Sequence, residues 1–428
     1  MREDGLIIRA TVGANGRPSD VRKAGDRLSE FRVAHSKTGG VLRSENRPYL
    51  GSVDHIRAFA ALLVVCYHGT QLFMMAMSGD RPFDRDRDWP YSTNPLATIV
   101  YEGHTGVSLF MALSGFIFTI GTLDRRISFG RFMSNRLLRI YPLFLLIVVL
   151  AIAMKPWEFT VQGFALQVLG FGNWPAALQF GAVGVVFWAI AVEMQFYVLF
   201  PALNALLSRF GLRQFLRLFG AVVAVRMLVW AANAQHLMLY DSLAGRIDQF
   251  LLGMVAAWLF VRHRDRFLGW WKVAGAAALA VGMLWAFNQL QGQRSQAAWR
   301  ILWPDVEGAV WALVILTYVV TCRSTGWWSR ALSKVGELSY SVYLLHYAIL
   351  AVLVSHRVWI ALPGVSPLHN GLITSVAAIP LVLAVSWLTY HGVEKLFLQF
   401  RVKYRLPDGG SVPLADRSTG LRAGPAEG

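Results

Sequence analysis

Apolar residues in this chain come in long unbroken runs, not at the period of two of a strand or the stripe spacing of a soluble amphipathic helix. "VDHIRAFAALLVVCYHG", residues 53–69, shows the pattern: a polar end carrying Asp54, His55 and Arg57, then apolar residues up to a lone His68. A helix needs about 17 to 25 such residues to cross a bilayer. The runs predict about ten crossings, near 55–76, 97–121, 138–154, 181–202, 216–235, 247–261, 273–290, 307–321, 338–354 and 372–394. A further stretch, "FALQVLGFGNW", is too short to cross and is expected to be re-entrant or to lie along the interface. The predicted fold is therefore all-α, a polytopic membrane helix bundle over residues 49–400. A basic, disordered arm is expected at 1–48 and a disordered tail at 401–428.

Composition agrees. Of 428 residues, 55% are hydrophobic and only 15% charged, with a mean hydropathy of +0.44. The net charge of +16 would suit a nucleic-acid binder, so its placement decides the matter. It sits in alternate loops: Arg22 to Arg47 in the arm, then Arg125 to Arg139, Arg209 to Arg217, Arg262 to Lys272, Arg323 to Lys334, and Arg401 to Arg405. Ten alternating helices place all of these on one side, as the positive-inside rule requires. The expectation is a multi-pass protein of the bacterial inner membrane with both termini cytoplasmic. Its basic charge then serves topology and anionic lipid, with no nucleic-acid partner. Cys66 and Cys322 lie within or at the end of apolar runs, so neither a disulfide nor a metal site is expected.

Ionisable groups inside a bilayer cost several kcal/mol unless they face protein or water, so each is a candidate site. Arg57 and His68 are eleven residues apart, close to three helical turns, and share one helix face at a separation of about 16 Å. In "GHTGVSLFMALSGFIFT" a face of small residues suits close helix packing; Ser114 is either part of that face or a nucleophile whose base comes from elsewhere in the fold. Arg136 and Arg139, in "FMSNRLLRIYPLF", stand three apart; they either anchor topology or clamp a phosphate. Glu193 is set among aromatics in "VVFWAIAVEMQFYVLFP" and needs a partner. Tyr343 and His346 in "LSYSVYLLHY" face one cavity, and Glu394 in "YHGVEKLF" is expected to pair with an arginine.

In this order the blocks resemble the acyltransferase 3 family of integral-membrane O-acyltransferases: the Arg-x10-His segment first, then "GVSLFMALSGFIFT", "NRLLRIYPLF", "FWAIAVEMQFYVLFP", "RIDQFLLGMVAAWL" and "LSYSVYLLHY". The resemblance spans about residues 48–400. His55, Ala189 and Met194 depart from the usual pattern, in which a glycine, a serine and a second acidic residue stand there. It implies a single-domain enzyme that moves an acyl group, acetyl by default, from cytoplasmic acyl-CoA to a hydroxyl of a carbohydrate or glycolipid acceptor, with no permanently bound cofactor. On that implication His68, Glu193 and His346 are the catalytic candidates. His68 acts as general base or transient acyl carrier, and Glu193 fixes its tautomer. Arg57, Arg136 and Arg139 hold the donor phosphates, and Ser114 and Tyr343 lie on the acceptor or oxyanion side. The rival class is a proton-coupled secondary transporter with His68, Glu193 and His346 as a relay.

Overall fold

The computed structural model describes Asn46 and residues 49–79, 83–174, 176–177, 181–232, 241–295 and 297–406. The expected arm, apart from Asn46, and the tail beyond 406 lie outside the described residues. The longer helices are α1 (Gly51–Met77), α2 (Pro95–Tyr101), α3 (Thr105–Thr122), α4 (Phe129–Met154), α5 (Val161–Val168) and α6 (Phe187–Ala231). They continue with α7 (Leu243–His263), α8 (Trp270–Gln289), α9 (Trp303–Thr321), α10 (Trp327–Glu337), α11 (Ser339–Ser355) and α12 (Pro367–Thr389). Among the described residues there are no strands, only an isolated bridge between Ile127 and Arg405.

Eight of the helical segments are long and apolar enough to cross a membrane, and the bent pair α10 and α11 makes a ninth. The 45-residue α6 is about 68 Å long at about 1.5 Å per residue, more than twice a bilayer core of about 30 Å. Its backbone leaves the helix at Gly211, where φ is 74°, a left-handed value that suits glycine. Two of the expected crossings are the halves of α6 on either side of this break. The crossing expected at 97–121 is also interrupted: α2 stops at Tyr101, and a turn at 102–104 precedes α3. The short apolar stretch forms α5, only eight residues long.

Helices α1 and α3 form the centre; 89% of the membrane-length window of α3 is buried, against 28% for α8 at the rim. The small-residue face of α3 does what its spacing predicts. A Cβ on Gly115 would lie 2.1 Å from the Phe250 carbonyl, and one on Gly253 of α7 would lie 1.9 Å from that of Ala112, so the two backbones touch through paired glycines. Helices α10, α11, α12 and α3 pack around α1. The chain turns by 65° between α10 and α11, and α12 runs into a wide π turn at Tyr390–Glu394. Loops bearing four of the basic blocks meet at one end of the bundle: Arg262 pairs with Asp124, the Asp124 amide donates to Ser208, and the Leu406 amide donates to the Arg126 carbonyl.

Candidate active site

Helix α1 is continuous from Gly51 to Met77, so Arg57 and His68 stand on one face at opposite depths. Arg57 donates to Asp54 one turn earlier at 3.2 Å and keeps 27% of its side chain exposed. It opens into a cavity of about 210 Å³. Of the sequence candidates, Arg57, Ser114, Arg136, Arg139, Glu193 and Tyr343 line this cavity. His68 and His346 stand apart from that wall and are joined to each other.

The two cavity arginines of α4 have different surroundings. Arg139 donates to the Glu394 carboxylate at 2.7 Å and to the Glu337 carbonyl at 3.3 Å. That carbonyl is available because the chain bends after α10, and the π turn carries Glu394 inward, where Ser341 also donates to it. The ion pair expected of Glu394 is thus present. Arg136 rests its guanidinium on the Phe118 ring at 4.6 Å, with Phe132 and Tyr197 beside it. Its buried Nε has no hydrogen-bond partner among the described residues. At the cavity mouth burial, and after it the Asp54 charge, push the Tyr49 phenol up, so it remains a protonated donor near neutrality.

The histidines form a pair whose tautomers follow from their partners. His346 Nδ1 lies 3.0 Å from the Val342 carbonyl and 2.7 Å from that of Tyr343, on its own helix. Carbonyls only accept, so Nδ1 carries the proton and Nε2 of the uncharged ring is an acceptor. His68 Nδ1 lies 2.9 Å from that Nε2 and must donate to it. The lone pair of His68 is therefore on Nε2. His346 is fully buried, whereas His68 keeps part of its surface accessible. The Tyr343 ring stands between the pair and the cavity, 5.9 Å from His346 and 6.3 Å from Phe110, which also lines the cavity.

Glu193 does not hold His68. It accepts from Ser114 Oγ at 2.8 Å, because α6 makes its main contacts with α7, α3 and α4, whereas α11 is among the helices packed on α1. The partner of Glu193 is Ser114, and the contact to His68 expected of Glu193 is made by His346. Ser114 is hydrogen-bonded to a carboxylate on the cavity wall, beside its small-residue face.

Sequence reading overlooked two buried ionic groups and a hub. Arg246 lies 3.6 Å from Glu307, which also accepts from Thr105 and from Gln249. Arg226 bridges Asp248 and Asp305 at 3.1 and 3.2 Å. Glu102 accepts from Trp89, Asn288 and His104. A signal existed for the first two, since each arginine is a lone charge within or beside an apolar run. Among the described residues no cluster of three or more histidine, cysteine or acidic side chains is placed to hold a metal ion.

An acyltransferase domain family profile matches residues 50–391. The chain is 27% identical over 342 residues to a protein of Komagataeibacter xylinus named as membrane-bound transacylase BcsY, covering 75% of this chain and 83% of that one. It is 24% identical over 362 residues to the O-acetyltransferase OatA of Staphylococcus aureus, covering 77% of this chain but only 55% of that protein. Acyltransferase MdmB of Streptomyces mycarofaciens is 23% identical over 333 residues, with 70% and 79% covered. No solved structure matches. A membrane helix bundle, the ordered motif blocks and a profile match over most of the chain agree, and the chain belongs to the acyltransferase 3 family of multi-pass membrane acyltransferases.

Proposed function

We propose that this protein moves an acyl group, acetyl by default, from cytoplasmic acyl-CoA to a hydroxyl of a carbohydrate acceptor, with His68 as the general base. The observation that carries this is the hydrogen-bonded histidine pair at one depth of α1 and the arginine-lined cavity at the other. The two are about 16 Å apart along the helix at about 1.5 Å per residue, comparable to an extended pantetheine arm. The donor phosphates sit with Arg57 and Arg136, whose guanidinium is desolvated on one face and retains donors for an anion. Arg139 serves that cavity mainly by holding Glu394 and the α10 bend in place. The thioester end passes between Phe110 and Tyr343 to reach His68.

The chemistry then balances without a further co-reactant. His68 Nε2 takes the proton of the acceptor hydroxyl as its oxygen attacks the thioester carbonyl. The tetrahedral oxyanion collapses, the carbon–sulfur bond breaks, and the departing thiolate recovers the proton from the imidazolium. His346 accepts from His68 Nδ1–H throughout, which fixes the tautomer and stabilises the imidazolium, the part an acidic residue plays in hydrolase triads. Ser114 and Glu193 form a polar patch in the donor wall.

Positive-inside charge supports a cytoplasmic arginine end and an inner-membrane location with both termini cytoplasmic. Reporter fusions at the start of α4, near Arg131, test this, and a periplasmic signal there overturns it. The reaction is tested with purified protein in lipid vesicles, labelled acetyl-CoA and envelope glycans from a strain lacking the gene. Acetyl ester formed on glycan supports the reading; no transfer from acetyl-CoA, with transfer from another acyl donor, rejects the assigned donor. Mass spectrometry of glycans with and without the gene identifies the acceptor by the missing acyl mass.

A further inference from the structure

The chain does not leave the structure where its last apolar run ends. Residues 401–406 run as an extended strap across the base of the bundle, and two buried asparagines hold it. Asn135 of α4 donates to the Val402 carbonyl at 2.6 Å and accepts from the Val402 amide at 2.8 Å, the two-point contact a neighbouring strand would make. Asn46 donates to the same carbonyl at 3.0 Å and accepts from the Tyr404 amide at 2.8 Å. The Ser128 amide donates to the Tyr404 carbonyl at 3.0 Å, and the Leu406 amide to the Arg126 carbonyl at 3.0 Å. Each backbone group fixed in this way is one that water would otherwise satisfy, so the strap is specified and not merely adjacent.

Two side chains of the strap reach the donor cavity. Tyr404 is 2% exposed, lines the cavity and meets the Phe132 ring edge-on at 5.3 Å. Phe132 is one of the rings against which the Arg136 guanidinium lies. Tyr404 therefore braces the aromatic box that aims Arg136. Arg401 lines the cavity directly and is a fourth arginine there, beside Arg57, Arg136 and Arg139. Its charge reaches Glu394, the carboxylate that also accepts from Arg139 and Ser341. Four arginines lining one cavity suit a donor that bears several phosphates.

We propose that Arg401 binds a phosphate of the nucleotide end of the acyl donor, and that the strap held by Asn46 and Asn135 is a built part of the donor site. This rests on the acyl-CoA reading above. Arg401 acts on the donor itself; Asn135 is a positioning residue that acts through the strap.

The test compares full-length protein in vesicles using acetyl-CoA and acetyl-pantetheine, which carries the thioester arm without the nucleotide phosphates. Arg401→Ala is expected to raise KM for acetyl-CoA about tenfold with kcat within about twofold, and to leave kcat/KM for acetyl-pantetheine unchanged. Arg401→Lys recovers part of the loss, since it restores charge without the planar fork. Asn135→Ala shows the same donor-selective loss, and the double variant loses less than the product of the singles because both act through one segment. Equal losses with both donors, or an unchanged KM for acetyl-CoA in Arg401→Ala and Arg401→Gln alike, overturn the proposal. A wild-type protein that does not use acetyl-CoA fails the donor reading itself. An active wild type with a sensitive Arg136→Ala and an indifferent Arg401→Ala fails only the role of the strap.

Discussion

The two ends of the bundle bury charge in opposite ways. At the far end, where α2 meets α3, Glu102 is 1% exposed and takes hydrogen bonds from Trp89 Nε1 at 3.0 Å, Asn288 Nδ2 at 2.6 Å and His104 Nε2 at 3.1 Å. Arg294 donates to the Arg87 and Trp89 carbonyls beside it, so the loop before α2 is tied to the end of α8. At the basic end Arg136 lies against aromatic faces, with a buried Nε that has no hydrogen-bond partner among the described residues, and it borders a cavity. A buried carboxylate filled by three donors holds architecture. A cation desolvated on one side and open on the other is ready for an anion. On the proposed function, the difference separates residues that build the enzyme from those that meet its substrate.

Five substitutions press on that distinction. The largest effect belongs to His68, whose Nε2 carries the free lone pair. His68→Ala is expected to lower turnover by about 10³-fold, within the range of a lost general base, while the protein still inserts and purifies. Inserting two residues between Arg57 and His68 rotates the histidine by about 200° and is expected to be equally severe. An acyl-histidine recovered by acid quench of wild type would make His68 a covalent carrier instead of a base.

His346 comes next. Removing it frees His68 Nδ1 and leaves the tautomer unspecified, so His346→Ala should cost about 10²-fold in kcat with little change in donor KM. A KM effect alone would move His346 to a binding role. Arg136→Ala is expected to raise acetyl-CoA KM about tenfold. Arg139→Ala should instead lower thermal stability, because it leaves the buried Glu394 without its cation. Thermal unfolding of both variants beside donor kinetics checks this reversal. The smallest catalytic effect is expected of Glu102→Gln. It exchanges one acceptor for a donor in a buried network and should cost about 1 to 3 kcal/mol of stability, with kcat/KM changed by less than about threefold. A large catalytic loss there would mean the far end also meets substrate.

Much of the bundle was legible in the chain because crossing a bilayer demands long apolar runs whatever the fold. The helix face of Gly115 was legible for a related reason, since close backbone approach permits few residue types. Arg57 and His68 could be read as co-facial because they ride one helix. Their partners could not. His68 and His346 are 278 residues apart, and which of two buried polar groups reaches His68 depends on the order in which helices surround α1. Periodicity is blind to that order, and so Glu193 was expected where His346 stands. The 401–406 strap was invisible for another reason. Its backbone is held by hydrogen bonds with the side chains of Asn46 and Asn135, and its own side chains show no period that would mark it as structured. The kink in α6 is the opposite case: hydropathy separated the two crossings, and Gly211 turned out to be the hinge between them.

The central claim is that the histidine pair performs acyl transfer from a donor anchored at the arginine end. Single-turnover transfer of labelled acetyl from acetyl-CoA to glycan, by purified protein in vesicles, tests it most directly when wild type, His68→Ala and His346→Ala are compared under saturating donor. The account predicts rapid transfer by wild type, about a hundredfold slower transfer by His346→Ala, and none measurable by His68→Ala despite unimpaired acetyl-CoA binding. Wild-type rates in His68→Ala would contradict it.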